Sequence, residues 1–127
     1  MKDDALARLD RESYVSLETR RRDGRRVQTP VWFAAHDGRL YVFTEGRAGK
    51  VKRLRNFPEL RLAPCSVRGK VHGEWIAGTG RVVSDSLIVA AAYAALRRKY
   101  GLLMATADFF SRLTGRMAGR AILEIEV

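Results

Sequence analysis

With a single cysteine, Cys65, the chain can form no internal disulfide, and its two histidines make no credible zinc pattern. A structural metal is therefore not expected. There are only three prolines, Pro30, Pro58 and Pro64, so each is informative about where a ladder or a helix must stop. Long apolar runs are missing as well: the longest, Leu87 to Leu96, is too short to span a bilayer, and no membrane partner is expected. The opening MKDDALARLDRES is too acidic and too poor in apolar residues for a signal peptide, and we read the protein as cytoplasmic. Negative charge is also in short supply, with 14 Asp and Glu against 24 Lys and Arg, a formal net charge of +10. Such a balance favours anionic partners in general, from nucleotides and polyanionic cofactors to nucleic acid, without choosing among them.

The 127 residues suit one domain, 1–127, large enough to bury a core. Asp3 and Asp4 ahead of Ala5, Leu6 and Leu9 predict a short helix over 4–11. Alternation from Tyr14 to Thr19 and the Arg-Asp-Gly-Arg turn at 22–25 predict a strand and a hairpin. The following strand, Val27 to His36, carries Pro30, which cannot donate to a ladder, so a bulge or a free edge is expected there. Asp37-Gly38 turns that strand into Leu40 to Thr44, giving a three-stranded antiparallel meander. Strands are further predicted at Glu59 to Val67, at His72 to Val83 and at Arg120 to Val127. Helices are expected from a cap at Ser84, Asp85 or Ser86 to Tyr100, and weakly over 106–116. The fold class is mainly β with short helices: six antiparallel strands curling into a barrel.

The most informative stretch is Leu40 to Pro58, LYVFTEGRAGKVKRLRNFP: strand, glycine-bearing loop, then a basic helix from Lys50 to Phe57. Backbone N–H groups and a lysine converge there, which outlines an anion site. Projected at about 100° per residue, Val51, Leu54 and Phe57 define the buried face, with Lys50 beside it and Arg53 at its border. Lys52 and Arg55 point the other way, toward solvent unless a long acidic ligand crosses them. Thr44, at the strand end, has two open roles: capping the loop or donating to a phosphate. The arginines at 20, 21, 22, 25 and 26 read first as a solvated turn that resists edge aggregation, and second as a collar for a polyanion. A nucleic-acid partner is not expected, because Trp32, Phe33, Tyr41 and Phe43 sit in apolar strand runs rather than among the charges. His72 and Trp75 are equally open between interface and packing. Asp10, Glu12, Glu18, Asp23 and Asp37 show no paired arrangement, and no nucleophile with a base can be argued. Any redox chemistry would have to come from a cofactor.

The segments TPVWF (Thr29 to Phe33), DGRLYVFT (Asp37 to Thr44), GKVKRLRNFP (Gly49 to Pro58) and RGKVHGEWIAGTGRVV (Arg68 to Val83) resemble the pyridoxamine-phosphate-oxidase-like split β-barrel superfamily. Within it the chain is most similar to the class B deazaflavin-dependent oxidoreductases, whose cofactor is coenzyme F420, an 8-hydroxy-5-deazaflavin. The resemblance implies a six-stranded split barrel of the FMN-binding type, a homodimer, and a cofactor in the groove between protomers. It implies that Lys50 and Thr44 bind the cofactor phosphate and that the backbone of Gln28, Thr29, Pro30 and Val31 lines the ring system. It also implies acidic tail partners for Arg47, Lys52, Arg53 and Arg55 or for the hairpin arginines, and keeps His72 among the cofactor-site candidates. FMN-holding relatives often place arginine where Gln28 and Gly49 stand, so the resemblance leaves FMN as the alternative cofactor. The tryptophan and arginine segment that pyridoxamine-phosphate oxidases carry at their C-terminus has no counterpart before Val127. The activity implied is hydride transfer from the reduced deazaflavin to an unsaturated small molecule such as an enone, quinone or tetrapyrrole.

Overall fold

The computed structural model describes residues 2–45, 49–101 and 120–127. Arg47 and the helix expected over 106–116 lie outside the described residues. The elements, in chain order, are α1 (Lys2–Asp10), β1 (Val15–Arg20), β2 (Arg26–Val31), β3 (Phe33–His36), β4 (Arg39–Glu45), α2 (Gly49–Asn56), β5 (Glu59–Pro64), β6 (Ile76–Val83), α3 (Ser86–Tyr100) and β7 (Arg120–Glu126). All seven strands form one antiparallel sheet in the order β2-β1-β5-β6-β7-β4-β3.

Seven strands replace the expected six because the segment Val27 to His36 is two strands, broken at Trp32. β2 pairs with β1 and β3 pairs with β4, so the expected meander is two separate hairpins placed at opposite edges of the sheet. One residue joins those edges, which forces the sheet to curl until they meet at Trp32. The free edge anticipated from Pro30 is found: Pro30 sits opposite Ser16 of β1, and among the described residues β2 has no strand on its other side. The turn at Gly69 approaches there instead, close enough that a Cβ on Gly69 would lie 3.7 Å from the Pro30 ring.

The Asp37-Gly38 loop closes the β3–β4 hairpin with both residues at positive φ, 51° and 76°, the backbone that matches strand twist. β5 ends at Pro64 rather than Val67, and β6 begins at Ile76 rather than His72. Pro64 stops the ladder, leaving only an isolated bridge between Cys65 and Val71. The glycines of β6 do permit close approach: a Cβ on Gly78 would lie 2.5 Å from the Glu126 carbonyl oxygen of β7.

The inner face of the curl is filled by Val15, Leu17, Val31, Phe33, Leu40, Val42, Leu60, Leu62, Leu123 and Ile125. α1 contributes Leu6 and Leu9 to this core and α2 contributes Val51 and Leu54. α1 closes the Val15 end, where Asp10 Oδ1 accepts from the Ala35 N–H at 3.1 Å. α3 covers part of the outer face, packing Ala92, Ala95 and Leu96 on Ala34, Tyr41, Val83 and Ile122. Its start is capped by Asp85, which accepts from the Leu87 and Ile88 N–H groups, and its end by Gly101 at φ 56°.

Tyr100, the last residue of α3, holds the Trp32 crossover. Its ring stacks on Trp32 at 4.6 Å and 10°, and its hydroxyl accepts from the Phe33 N–H at 3.0 Å. The single hydroxyl proton is shared between the Ser13 and Phe33 carbonyls, at 2.9 and 3.0 Å. Burial pushes the phenol pKa up to about 12, so it stays protonated throughout the physiological range. Tyr100→Phe keeps the stack and orphans the Phe33 N–H, which is expected to cost about 1–2 kcal/mol, read as a lowered urea midpoint at unchanged slope.

Candidate functional site

β3 begins at Phe33, opposite Val42, so residues 43–45 of β4 run on with β7 on one side and no strand on the other. β2 leaves the same crossover with no described strand on its outer edge, and the Gly69 turn reaches it at Pro30. The two start side by side, since the Trp32 and Phe43 rings meet edge to face at 5.9 Å. The strand order therefore leaves a candidate slot between them, with Gln28 to Val31 and the end of β4 as its lips.

α2 packs on β1 and β6 at the end of the barrel where β4 stops. On one side Lys50 Nζ donates to Thr44 Oγ1 of β4 at 3.4 Å. On the other, Arg53 Nε donates to Thr19 Oγ1 of β1 at 2.6 Å, and Thr19 stands opposite Val27 of β2. Lys50, Arg53 and Thr44 are thus brought together with the β2 edge. Arg53 is half-buried, and burial, reinforced by the like charge of Arg21, holds its pKa below the ordinary arginine value. Its guanidinium folds back over Gly49, where a Cβ would lie 2.6 Å from Nη1. Arg55 is exposed on the far side of the helix.

Along the β2 lip the side chains alternate. Thr29 shares the inner face with Leu17, and its Oγ1 is buried with no hydrogen-bond partner among the described residues. Pro30 offers no donor to the edge. Gln28 faces the outer side, where its Nε2 donates to Glu18 Oε2 at 2.8 Å, so only its backbone faces the slot. An unsatisfied hydroxyl, a bare strand edge and a lysine paired with a threonine suit a planar, polar ligand carrying a phosphate. The donor set fits a flavin or deazaflavin.

His72 is elsewhere. Its N–H donates to the Pro64 carbonyl, opposite Val15, at the α1 end of the barrel. From Val15 to Thr19 is about 13 Å of extended strand, so within one protomer His72 does not reach Lys50. It lies 3.6 Å from Glu12 Oε2 and lines a cavity of about 550 Å³ with Arg8, Leu9 and Ile76.

Glu18, which shows no partner at the level of sequence, is one of two clamped carboxylates on the outer face. Arg61 binds it through Nε and Nη2 at 2.7 and 2.9 Å, and Arg26 and Gln28 complete the clamp. The second, Glu124, accepts from the Tyr41 hydroxyl and from Arg81, both at 2.9 Å. Cross-strand register from the first hairpin places Glu18 opposite Gln28, a signal available in the sequence; Glu124 and Arg81 meet only through the long-range pairing of β6 with β7.

The hydrogen bond from Arg61 holds the Glu18 pKa below its ordinary 4.5. A depressed folded-state pKa means that the unfolded chain takes up the proton first as pH falls. The stabilisation from Glu18 is therefore complete above the ordinary value and disappears as pH drops through the folded-state value. Urea midpoints at pH 7 and pH 4 are expected to differ less in Glu18→Gln than in the parent protein.

No family model matches the chain, and no curated protein matches it in sequence. Solved structures do. A candidate pyridoxamine 5'-phosphate oxidase from Listeria innocua aligns with a TM-score of 0.67 over 98% of this chain and 90% of its own, at 16% identity. The fold is the split β-barrel. Two other split barrels are the heme storage protein HutZ from Vibrio cholerae and an FAD-binding protein from Mesorhizobium loti. HutZ aligns at TM-score 0.71, over 98% of this chain and 88% of its own, at 13% identity. The Mesorhizobium loti protein aligns at TM-score 0.66, over 100% of this chain and 87% of its own, at 17% identity. No helix among the described residues is long and apolar enough to cross a membrane.

Proposed function

We propose that this split barrel binds the deazaflavin coenzyme F420 in the slot between β2 and α2 and acts as an oxidoreductase toward a small unsaturated organic substrate. The observation that carries the proposal is the Lys50–Thr44 pair at 3.4 Å at the end of β4, together with a proline-bearing edge of β2 that no described strand covers. Lys50 and the Thr44 hydroxyl would hold the phosphate, and the buried Thr29 hydroxyl and the β2 backbone would fix the ring. Bound there, the cofactor supplies a hydride that an enone, quinone or tetrapyrrole accepts. The chain contributes orientation, exclusion of water and a positive field, and no side chain of the slot is assigned as acid or base, so the product's proton comes from solvent.

A homodimer is proposed as the second wall of the groove. His72, remote from Lys50 within the protomer, joins the site only from the second copy. Light scattering of the purified protein is expected to give twice the 14.3 kDa chain mass.

FMN on the same Lys50–Thr44 pair is the second reading, supported by the FAD-binding split barrel. A carrier without turnover finds support in the heme storage protein. Fluorescence titration with the deazaflavin and with FMN separates the cofactors: the deazaflavin is expected to bind more tightly, and tight FMN binding with none of the deazaflavin overturns the choice. Reduction of an enone or quinone by the loaded protein distinguishes enzyme from carrier.

A further inference from the structure

At the α1 end of the barrel the sheet opens. β5 and β6 pair no further than Leu62 and Ile76, and beyond them the chain from 65 to 75 leaves the ladder, apart from the isolated bridge between Cys65 and Val71. α1 sets Leu6 and Leu9 into the core beside this gap. The space left between the helix and the β5–β6 connection is the cavity of about 550 Å³ that His72 lines.

Its floor is apolar, made by Leu9, by Pro64 at the end of β5 and by Ile76 at the start of β6, with Ala5 beside them. Leu9 lies in the inner core and Ile76 packs against it, so the floor continues the barrel interior. Gly73 presses the connection onto Pro64, since a Cβ there would lie 2.8 Å from the ring, and this wall is close-packed. The volume falls within the roughly 300–1,000 Å³ of small-molecule sites, which form readily in the mouths of β-barrels.

The rim is charged. Arg8 in the last turn of α1 and Arg11 just after it both line the cavity, both are exposed, and neither has a side-chain partner among the described residues. Of the two carboxylates in the described lining, Glu12 is drawn across to His72 at 3.6 Å, and Glu74 belongs to the connection rather than to α1. Two uncommitted guanidiniums thus stand over an apolar floor. A small bare anion would gain little at exposed arginines, and a purely apolar body would leave them to water. An acid with a hydrocarbon body uses both parts.

We infer that the barrel mouth is a second small-molecule site, one that takes a monocarboxylate with an apolar body. The carboxylate would meet Arg8 and Arg11, and the hydrocarbon would lie on Leu9, Pro64 and Ile76. The site is at the Val15 end of β1, about 13 Å of strand from Thr19, and its arginines come from α1, which the cofactor reading does not call on. Only His72 is common to this cavity and to the cofactor-site candidates.

The test is calorimetric titration of the full chain, without cofactor, with octanoate, octanamide and acetate. One octanoate per chain is expected, bound at least about tenfold more tightly than either comparison ligand, since the amide lacks the charge and acetate lacks the body. Arg8→Gln combined with Arg11→Gln alters two exposed side chains and is expected to weaken octanoate about tenfold or more. Arg20→Gln combined with Arg22→Gln removes the same charge from exposed sites past the other end of β1 and is expected to change that affinity less than about threefold. Ala5→Leu, at a half-buried position of the lining, is expected to fill the cavity and abolish octanoate binding, with a melting curve to establish that the variant is folded. Equal losses in the two arginine variants, octanamide binding as tightly as octanoate, or unchanged affinity in folded Ala5→Leu overturn the proposal. Saturating deazaflavin is expected to shift octanoate affinity by less than about threefold. Mutual exclusion of the two ligands would make the cavity part of the cofactor site and overturn the assignment of a second one.

Discussion

Replacing Lys50 with alanine is expected to weaken deazaflavin binding by about 2–3 kcal/mol, roughly thirty- to a hundred-and-fiftyfold. The size follows from what Lys50 does in the slot. It is the first lysine of α2, half-buried, and its ammonium is directed to Thr44 rather than into bulk water. A phosphate placed between the two gains a charge-assisted hydrogen bond that neither Arg53, tied to Thr19, nor Arg55, facing solvent, replaces. Because Lys50 is half-buried, the melting temperature of the variant is measured alongside, so that lost binding is separated from lost stability. Lys50→Arg is expected to recover part of the affinity, as it keeps the charge but offers a planar fork where a compact ammonium fitted. Fluorescence titration checks both variants, with Arg98→Ala as an exposed control. Unchanged affinity in Lys50→Ala removes this residue from the site.

Phe33→Ala is expected to lower the stability of the fold by about 4 kcal/mol and the melting temperature by roughly 15 °C. Phe33 is fully buried and lies in the inner core with Val15, Leu40 and Val42. Its ring carries a further load on one face, where Lys99 Nζ sits 3.4 Å from the centroid. Burial pulls the Lys99 pKa down, partly offset by Asp10, whose Oδ1 accepts from the ammonium at 3.2 Å. Removing the ring therefore opens a cavity and strips a desolvated cation of its nearer aromatic partner, leaving Tyr100 at 5.4 Å. Phe33→Leu fills most of the volume without restoring the π face, and is expected to cost less than half as much. Thermal unfolding followed by circular dichroism measures both. A loss near 1 kcal/mol in Phe33→Ala would mean that the core refills the space.

Much of the fold was legible because its signals are local. Asp37-Gly38, the alternation in β1 and β7, and the cap and last-turn arginines of α3 each state their own geometry. The strand count was not, because nothing around Trp32 marks a break: Val31-Trp32-Phe33-Ala34 reads as one uninterrupted apolar run. The break is imposed from outside the segment, by Tyr100 of α3 gripping Trp32 and Phe33. The site divided in the same way. Helical projection placed Lys50 beside the buried face of α2, Arg53 at its border and Arg55 outside, and Pro30 announced an edge without a described strand. The distance of His72 from Lys50 could not be read, because it depends on which end of β1 the chain reaches after Pro64. The clamp on Glu18 needed Arg61, which arrives from β5, forty-three positions along the chain.

The Trp32 crossover makes the slot a wedge rather than a channel. The β2 lip is tied covalently through Trp32 to β3, and β3 is paired with β4, the other lip, so a change in width pivots about that crossover. A small angular adjustment at Trp32 becomes a larger displacement at Lys50, and the stack with Tyr100 sets the stiffness of the pivot. The indole at the pivot is one of two tryptophans in the chain. Its emission, isolated in a Trp75→Phe background, would register the opening angle from the far end of the wedge.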